Sequence, residues 1–256
     1  MKIQLIGNIE GSHLAVKEKA IAIIVDTLRA STTIPVSMEK GLKEIYIAKE
    51  VEDARIAADE YSTILMGERG CIKLPGFTFG NSPLEIKQQL EFTYEKSTFT
   101  SSTGAKIAVE SIGSDLIIIG SPINAKAVVE KIIEYCSDNH KKNVIIIPAF
   151  SEGSIIENEL TEDQLGSLII AKEFQKHNIE LPKELQKELI FLDKIMEKET
   201  LFELFLKTKH GQKLVHLDFK KDVEFCSRIN EVNTVPYSRN DFLIIKNGEK
   251  VLRLQK

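Results

Sequence analysis

The sequence predicts an α/β fold, a three-layer sandwich with a mainly parallel or mixed central sheet and helices on both faces. Short apolar runs alternate along the chain with segments of helical periodicity, which is the pattern of successive strand–helix units. Several of these runs, such as Ala20–Val25, Asp115–Ile119 and Asn143–Ile147, are almost continuously apolar. Such runs are typical of strands that are buried on both faces of a parallel sheet.

The first part of the chain alternates between strands and helices. Apolar runs predict strands at Lys2–Ile6, Ala20–Asp26, Glu44–Ala48 and Thr63–Met66. Helical patterns cover Ile34–Glu39 and Val51–Tyr61, and a loop containing Gly, Ser and His follows Ile6. Ser31 or Thr32 can cap the first of these helices. Ser82 is the expected cap of a helix from Pro83 to about Leu90, because proline at the first position and Glu85 at the third are typical of a helix start.

The second part continues the alternation and then changes. Strands are predicted at Ser97–Ser101, Asp115–Ile119 and Asn143–Ile147, with helices at Ala105–Ile112, Pro122–Ser137 and, after a capping box at Thr161–Gln164, up to about His177. Ala149–Leu160 is a polar loop, and Leu181–Lys209 predicts two charged helices. Strands are expected near Val232–Tyr237, Phe242–Lys246 and Val251–Leu254, and Asn247–Gly248 between the last two indicates a hairpin. We expect a single α/β domain over residues 1–256, with a helical segment at about 161–209 and a C-terminal hairpin at about 242–254.

The composition is that of an ordinary globular protein and excludes several functional classes. The 256 residues are 43% hydrophobic and 28% charged, and the net charge of -4 offers no basic surface for nucleic acid. No run is long enough to span a membrane and no signal-peptide pattern is present, so we expect a cytoplasmic protein. The three cysteines are scattered and predict reduced thiols. Cys71 lies in a Gly-rich loop, where its default interpretation is an inert thiol. A homo-oligomer is compatible with the sequence, which does not set the oligomeric state.

Four polar clusters lie at the ends of predicted strands or in the loops that follow them. They are Asp26 with Arg29, Glu68 with Arg69, Asn81 with Ser82 and Glu85, and Ser101–Gly104. The carboxyl ends of strands in an α/β sheet form the usual ligand-binding edge. Carboxylates suit a hard cation, guanidinium groups suit an oxyanion, and hydroxyls near helix N-termini suit phosphate oxygens. Together the clusters indicate a phosphorylated or multiply anionic ligand, although each cluster alone is equally explained by a solvated turn, an ion pair or a helix cap.

Several well-known catalytic motifs are absent. The chain has no P-loop, no GxGxxG motif after a strand, no GxSxG motif and no HExxH motif. The long loop from Gly70 to Gly80, which contains Phe77 and Phe79, is expected to cover the site, because long ordered loops are often functional.

Three stretches carry a resemblance to a known family. They are Val25-Asp-Thr-Leu-Arg-Ala-Ser-Thr-Thr-Ile34, Gly67-Glu-Arg-Gly70 and Pro75-Gly-Phe-Thr-Phe-Gly-Asn-Ser-Pro-Leu-Glu85. In order and rough spacing they resemble motifs of the 2-phosphosulfolactate phosphatase family, and Gly120–Ala125 and His210-Gly211 are also similar to family features. The chain departs from the family pattern at Ser101–Ala105, at Ile147–Phe150, and at Cys71, which stands where the family has a second glycine.

The resemblance implies a magnesium-dependent phosphomonoester hydrolase that acts on 2-phospho-3-sulfolactate in the route to coenzyme M. The catalytic residues that it implies are Asp26, Arg29, Glu68 and Arg69, and the substrate-binding residues are Asn81, Ser82, Ser102, Thr103, Gly104 and His210. Asp26, Glu68 and Asp163 are the implied magnesium ligands, and Asp26 is equally open to a role as base or nucleophile. The departures leave two alternatives: a phosphatase for a different small phosphorylated acid, and an anion-binding relative without turnover.

Overall fold

The computed structural model describes residues 1–90, 92–138, 143–150 and 160–256. Most of the predicted polar loop at Ala149–Leu160 lies outside these ranges. The strands are β1 Lys2–Leu5, β2 Ile21–Val25, β3 Glu44–Ile47, β4 Ile64–Arg69, β5 Ile72–Lys73, β6 Lys96–Thr100, β7 Leu116–Ile119, β8 Asn143–Pro148, β9 Tyr237–Ser238, β10 Phe242–Ile244 and β11 Lys250–Gln255. The helices are α1 Asn8–Glu18, α2 Ala30–Lys40, α3 Val51–Tyr61, α4 Pro83–Lys87, α5 Gly104–Glu110, α6 Ala125–Asp138, α7 Glu162–Lys176, α8 Lys183–Met196, α9 Leu201–Lys207, α10 Lys209–His216 and α11 Lys220–Cys226, with a 3₁₀ turn at Pro122–Asn124.

The central sheet is mixed, and its strands follow the order β1-β8-β2-β7-β9-β11-β3-β6-β4-β5. Two blocks are parallel: β1, β8, β2 and β7 form one, and β3, β6 and β4 form the other. The antiparallel strands β9 and β11 join the two blocks, and β10 pairs with β11 as the predicted hairpin. This architecture confirms the predicted α/β class with a mixed sheet.

Strand β2 shows why the apolar runs form buried strands. Ile21, Ile23 and Val25 pack into one hydrophobic cluster, whereas Ala22 and Ile24 pack into another. Successive side chains of a strand point to opposite faces, so a strand covered on both faces must be apolar at every position. The first cluster includes side chains from α6 to α11, and the second includes side chains from α1, α2 and α5. The helices therefore cover both faces of the sheet, as predicted, and each fully buried isoleucine stabilises the fold by roughly 1.5–3 kcal/mol.

Two predicted helix caps are confirmed by the hydrogen bonds at α4 and α7. The Ser82 Oγ atom accepts the Glu85 amide at 3.0 Å, and Thr161 Oγ1 accepts the Gln164 amide at 3.2 Å. The start of α2 differs from the prediction, because Ser31 lies inside the helix instead of capping it. Its hydroxyl instead accepts the backbone amide of Asp26 at 2.8 Å.

The prediction of a loop after Ile6 was wrong, since Asn8–Glu18 is helix α1. This helix lacks a clear hydrophobic periodicity, because some of its buried positions are small residues that allow close packing. A Cβ atom on Gly11, for example, would lie 2.1 Å from the Ile6 carbonyl oxygen. The C-terminal helices also extend further than the pattern indicated, because α10 and α11 follow the segment that was predicted to end at Lys209. Of the run Val232–Tyr237, only Tyr237 belongs to a strand. In the described part of the chain, no helix combines the length and apolar character needed to cross a bilayer.

Candidate active site

A polar cavity of about 180 Å³ lies where the loops after β2, β4 and β6 meet helix α10. The side chains that line it come from all four of these elements and from the start of α4. They are Asp26, Leu28, Arg29, Glu68, Gly70, Cys71, Asn81, Ser102, Thr103, His210 and Lys213. A second cavity shares Asp26, Thr103, His210 and Lys213 with the first, and Phe150, Glu162, Asp163 and Lys209 complete its lining. Polar clusters that are far apart in the sequence therefore converge on these two adjoining cavities.

Asp26 lies at the junction of the two cavities. Its Oδ2 atom accepts the Gly104 amide at 2.9 Å, and its Oδ1 atom accepts the Ala30 amide at 3.4 Å. The pKa of Asp26 is raised to about 6, mainly by burial and further by the neighbouring Glu68 carboxylate. The charge of His210 and the hydrogen bonds from the two amides lower the pKa, but only partly offset this rise. A carboxyl group with a pKa near neutrality can both release and accept a proton at the pH of a cell.

Gly104 is required for this contact between the loops after β2 and β6. A Cβ atom at this position would lie 2.4 Å from the Asp26 Oδ2 atom. Any side chain would therefore displace the carboxylate or the start of α5. This close approach is the steric reason why the Ser101–Gly104 cluster ends in glycine.

Glu68 fixes the loop that follows β4 to the loop that follows β6. Its Oε1 atom accepts the Ser102 amide at 2.8 Å. Its Oε2 atom accepts the Cys71 amide at 2.6 Å and the Ser102 hydroxyl at 3.2 Å. Glu68 is only 6% exposed, and these three hydrogen bonds stabilise its buried carboxylate.

Arg29 reaches the cavity from a buried ion pair. Its Nη1 atom donates to Asp222 Oδ2 at 2.6 Å, and its Nη2 atom donates to the Cys71 carbonyl at 2.8 Å. The guanidinium also lies over the Phe219 ring, 4.1 Å from the ring centroid. Asp222 accepts a further hydrogen bond from the Ser82 hydroxyl at 2.7 Å. The guanidinium plane is therefore fixed on three sides.

His210 is the centre of a hydrogen-bonded chain at the other side of the cavity. Its Nδ1 atom lies 3.0 Å from Glu162 Oε1, and its Nε2 atom lies 3.4 Å from Cys71 Sγ. Burial alone would lower the pKa of His210, but the hydrogen bonds and charges of Cys71 and Glu162 outweigh burial and raise it to about 10. The ring is therefore a cation at neutral pH, beside the carboxylate of Asp26.

Asp163 joins the start of α7 to the ends of β2 and β8. Its Oδ1 atom accepts the Thr27 amide at 2.7 Å, and its Oδ2 atom accepts the Phe150 amide at 3.0 Å. Burial, together with the nearby Glu162 and Asp26 carboxylates, raises the pKa of Asp163 well above its usual range. Both carboxylate oxygens thus accept hydrogen bonds from backbone amides just after the ends of β2 and β8.

The structure brings most of the predicted site residues together. Asp26, Arg29, Glu68, Asn81, Ser102, Thr103 and His210 line the first cavity, and the Gly104 amide binds Asp26. Arg69 lies elsewhere, because its guanidinium donates to the carbonyls of Glu68 and Lys49 and to Thr100 Oγ1. Ser82 binds Asp222 behind Arg29 and lines a separate groove.

The long loop at Gly70–Gly80 contributes to the site through its two ends. Gly70 and Cys71 line the cavity at one end, and Asn81 lines it just after the other. Phe77 and Phe79 are buried in separate hydrophobic clusters, which anchors the middle of the loop.

Sequence reasoning missed several residues that shape the cavity. Lys213 faces both cavities, and Asp222 orients Arg29. Both belong to α10 and α11, helices that were not predicted, and in the sequence they resemble ordinary surface charges. The periodicity of the segment after His210 is the signal that could have placed Lys213, since residues three apart share a helix face.

The donor set bears on whether a magnesium ion fits here. In the ranges that the structure describes, no group of three His, Cys, Asp or Glu side chains is placed to share a metal ion. The three predicted carboxylates each accept backbone amides, and Glu68 accepts a hydroxyl as well. Magnesium is commonly held by only one or two carboxylates, with water and substrate phosphate oxygens as its other ligands. Asp26 fits that mode, because it lines both cavities and one of its amide contacts is long.

Comparison with known proteins gives a consistent match over most of the chain. The sequence model of a family described as 2-phosphosulpholactate phosphatase matches residues 9–241. A probable 2-phosphosulfolactate phosphatase of Carboxydothermus hydrogenoformans is 32% identical over 223 residues, which is 86% of each chain. Proteins of the same description from Clostridium tetani and Thermotoga petrophila are 29% and 28% identical; the alignments cover 89% and 88% of this chain and 93% and 92% of theirs.

Proposed function

This chain belongs to the 2-phosphosulpholactate phosphatase family, and we propose that it hydrolyses 2-phospho-3-sulfolactate to sulfolactate and phosphate. The observation that carries the proposal is the convergence of the family-like motifs on one cavity. Asp26, Glu68 and Asn81 belong to three different motifs and line the same polar space. The family supports the reaction class, and the relatives' names support the substrate.

The charges around the cavity suit a substrate with several anionic groups. 2-Phospho-3-sulfolactate carries a phosphate, a carboxylate and a sulfonate. Lys213, the His210 imidazolium and the Arg29 guanidinium all line the cavity. Guanidinium groups bind oxyanions in a planar, two-pronged geometry, and an ammonium group acts as a point charge. We propose that these three cations hold the anionic groups of the substrate.

Phosphoryl transfer requires positioning and charge stabilisation more than covalent work by the protein. We propose that the Asp26 carboxylate accepts the proton of the attacking water, since its pKa of about 6 suits a general base near neutral pH. The charge of His210 favours the ionised form of Asp26 and stabilises the phosphate oxygens. Glu68 and Asp163 act by holding the loops that place Asp26 and Ser102.

We further propose that the enzyme uses magnesium, which water and substrate phosphate oxygens would hold beside Asp26. When bound, the ion would supply neutralisation of charge on the phosphate oxygens. The position of Asp26 supports this proposal, because its buried carboxylate lines both cavities and has no cationic partner among the hydrogen bonds described for it. The cytoplasmic location and the role in coenzyme M biosynthesis are also proposals, supported by the family resemblance.

One structural departure favours a second candidate, a phosphatase for another small phosphorylated acid. Phe150 follows the strand end where this chain departs from the family pattern, and it lines the second cavity while remaining 48% exposed. An aromatic side chain at this position would favour a less polar substituent than a sulfonate.

The experiment that tests the proposed function measures phosphate release from a panel of small phosphomonoesters. The panel contains 2-phospho-3-sulfolactate, 2-phospholactate and 2-phosphoglycerate, each assayed with magnesium and with excess EDTA. The proposal expects the highest kcat/KM for the sulfonated ester and loss of turnover in EDTA. A preference for 2-phospholactate would support the second candidate, and binding without phosphate release would identify an anion-binding relative.

A further inference from the structure

A cysteine, a histidine and a glutamate form a continuous chain from the wall of the first cavity to the wall of the second. Cys71 Sγ lies 3.4 Å from His210 Nε2, and His210 Nδ1 lies 3.0 Å from Glu162 Oε1. A thiol beside an imidazole that a carboxylate orients is the arrangement that activates nucleophilic cysteines. The proposed phosphatase chemistry makes no use of this sulfur.

The backbone holds Cys71 firmly in this position. Its φ of 78° lies in the left-handed region, which favours glycine over residues with a side chain. The Cys71 amide donates to Glu68 at 2.6 Å, and its carbonyl accepts from Arg29 at 2.8 Å. The two contacts fix the residue from both sides, so the sulfur is held at the cavity wall beside His210.

An independent feature of the cavity points to a small ligand with a hydroxyl group. The Oδ1 atom of Asn81 is buried and has no hydrogen-bond partner within the described residues. Asn81 is 5% exposed and lines the same cavity as Cys71. A buried acceptor without a partner is costly, and a hydroxyl donor in the cavity would satisfy it.

We propose that Cys71 is a site of covalent modification, at which peroxides oxidise the thiol to a sulfenic acid and thereby close the cavity to substrate. The consequence for activity rests on the proposed function, whereas the modification itself does not. A sulfenic acid is the reversible stage of cysteine oxidation, and thiols reduce it back to the free cysteine.

The oxidation step balances with the groups present and hydrogen peroxide as the oxidant. Because His210 is already protonated at neutral pH, the Cys71 S–H proton passes to solvent water as the sulfur electron pair attacks one peroxide oxygen. The O–O bond breaks, the S–O bond forms, and the departing hydroxide takes a proton from His210 Nε2 to give water, after which the ring regains a proton from solvent. Sulfur is oxidised by two electrons and peroxide is reduced by two, and the new S–OH group can donate to Asn81 Oδ1.

The other two cysteines provide internal comparisons. Cys226 is fully buried, and burial raises its pKa far above the usual range, which leaves it as an unreactive thiol. Cys136 is half-buried on α6, away from the residues that line the cavity. Cys71 Sγ lies 3.4 Å from a histidine ring nitrogen at the wall of the cavity.

The test exposes the reduced protein to a small excess of hydrogen peroxide in the presence of dimedone, which traps sulfenic acids. Peptide mass spectrometry then measures the adduct at each cysteine over time. We expect the adduct at Cys71 to form first, and His210→Gln to slow it by about a hundredfold, the lower range for a positioned general acid. Glu162→Gln should give a smaller decrease, and Cys71→Gly should remove the adduct. Melting curves confirm that each variant is folded, and the comparison of the three sites within the wild type needs no variant.

Equal or faster labelling of Cys136 would overturn the proposal, as would labelling of Cys71 that is unaffected by His210→Gln in a folded protein. A second arm compares phosphate release before and after peroxide for the wild type and for Cys71→Gly, each relative to its own untreated rate. Loss of rate that dithiothreitol restores in the wild type alone supports closure of the cavity. If the untreated protein has no phosphatase activity, the proposed function fails while the adduct measurement still decides the modification site.

Discussion

Arg29 and Asp222 are separated by 193 residues in the sequence, yet their side chains form a 2.6 Å ion pair in which they are 2% and 3% exposed. Asp222 lies on helix α11 and also binds the Ser82 hydroxyl at 2.7 Å. The pair therefore connects the loop after β2 with the start of α4 and the C-terminal helices. Its position behind the cavity means that the orientation of Arg29 depends on a residue that does not contact the cavity itself.

Replacement of Arg29 by lysine is expected to reduce activity although the charge is kept. Lysine loses the planar fork that binds Asp222 and the Cys71 carbonyl together while facing the cavity. Loss of one charge-assisted hydrogen bond costs about 1.5–3 kcal/mol, which corresponds to roughly tenfold to a hundredfold in kcat/KM. Steady-state kinetics and the melting temperature of Arg29→Lys measure the two effects separately.

The control for this substitution is Arg228→Lys, since Arg228 also stacks on an aromatic ring and pairs with a carboxylate but is 44% exposed. We expect wild-type kinetics for that variant. Unchanged kcat/KM with a lower melting temperature in Arg29→Lys would show that Arg29 holds the fold and does not bind substrate.

Removal of the charge on Asp222 is expected to destabilise the protein strongly. Asp222→Asn leaves the Arg29 guanidinium buried without its anionic partner, and breaking a buried ion pair in this way costs about 3–5 kcal/mol. Urea unfolding monitored by circular dichroism gives the free energy of unfolding. Glu231→Gln breaks the exposed pair with Arg228 and should cost no more than about 1 kcal/mol. Similar losses in the two variants would contradict the burial argument.

A methyl group at Gly104 is expected to reduce activity more than stability. The added Cβ would lie 2.4 Å from Asp26 Oδ2, so the carboxylate must move. Gly80→Ala is a suitable comparison, because its Cβ would meet the Lys73 side chain at 3.3 Å and Glu85 Oε2 at 3.6 Å, without a severe clash. Kinetics and melting curves of both variants provide the measurement, and wild-type kcat/KM in Gly104→Ala would refute the proposed importance of this contact.

The raised pKa of His210 predicts a pH dependence of stability. The pKa is about 10 in the folded protein against a model-compound value of 6.5, so protonation of His210 stabilises the fold. This contribution is fully present below pH 6.5 and is lost as the pH rises through about 10. The difference in unfolding free energy between wild type and His210→Gln should therefore shrink as the pH is raised from 6 to 10. His13→Gln serves as the exposed control, and a difference that stays constant for His210 would contradict the shifted pKa.

The sequence was sufficient for the class of the fold and for the residues at the strand ends. Continuous apolar runs such as Ile21–Val25 define buried strands without knowledge of their neighbours, and the cluster at Asp26 follows such a strand directly. Glu68 lies within β4, which extends past the predicted end at Met66 to Arg69. Their convergence was expected from a shared edge of the sheet, but three antiparallel pairings connect the block of β2 to the block of β4, so the two strands run in opposite directions. Contacts between the loops, such as that of Asp26 with the Gly104 amide, join the clusters instead. The caps at Ser82 and Thr161 depend on residues three positions apart, so they too could be predicted locally.

Other features depend on contacts between distant parts of the chain. The pairing of Arg29 with Asp222 required the position of α11, and helix α1 was hidden by small residues whose role is close packing. Local sequence also did not separate Arg29, which lines the cavity, from Arg69, whose guanidinium binds backbone carbonyls. Arg29 lies shortly after β2 and Arg69 is the last residue of β4, and only the tertiary contacts distinguish their roles.

The central claim is that the cavity around Asp26 hydrolyses 2-phospho-3-sulfolactate. The most direct measurement is kcat/KM for phosphate release from this ester, with magnesium present, by the wild type and by Asp26→Asn purified in parallel. The wild type should turn over the ester, and the variant should be folded and slower by about a hundredfold to ten-thousandfold, the range for loss of a general base. Equal kcat/KM for the two proteins, or no phosphate release by the wild type, would contradict the claim.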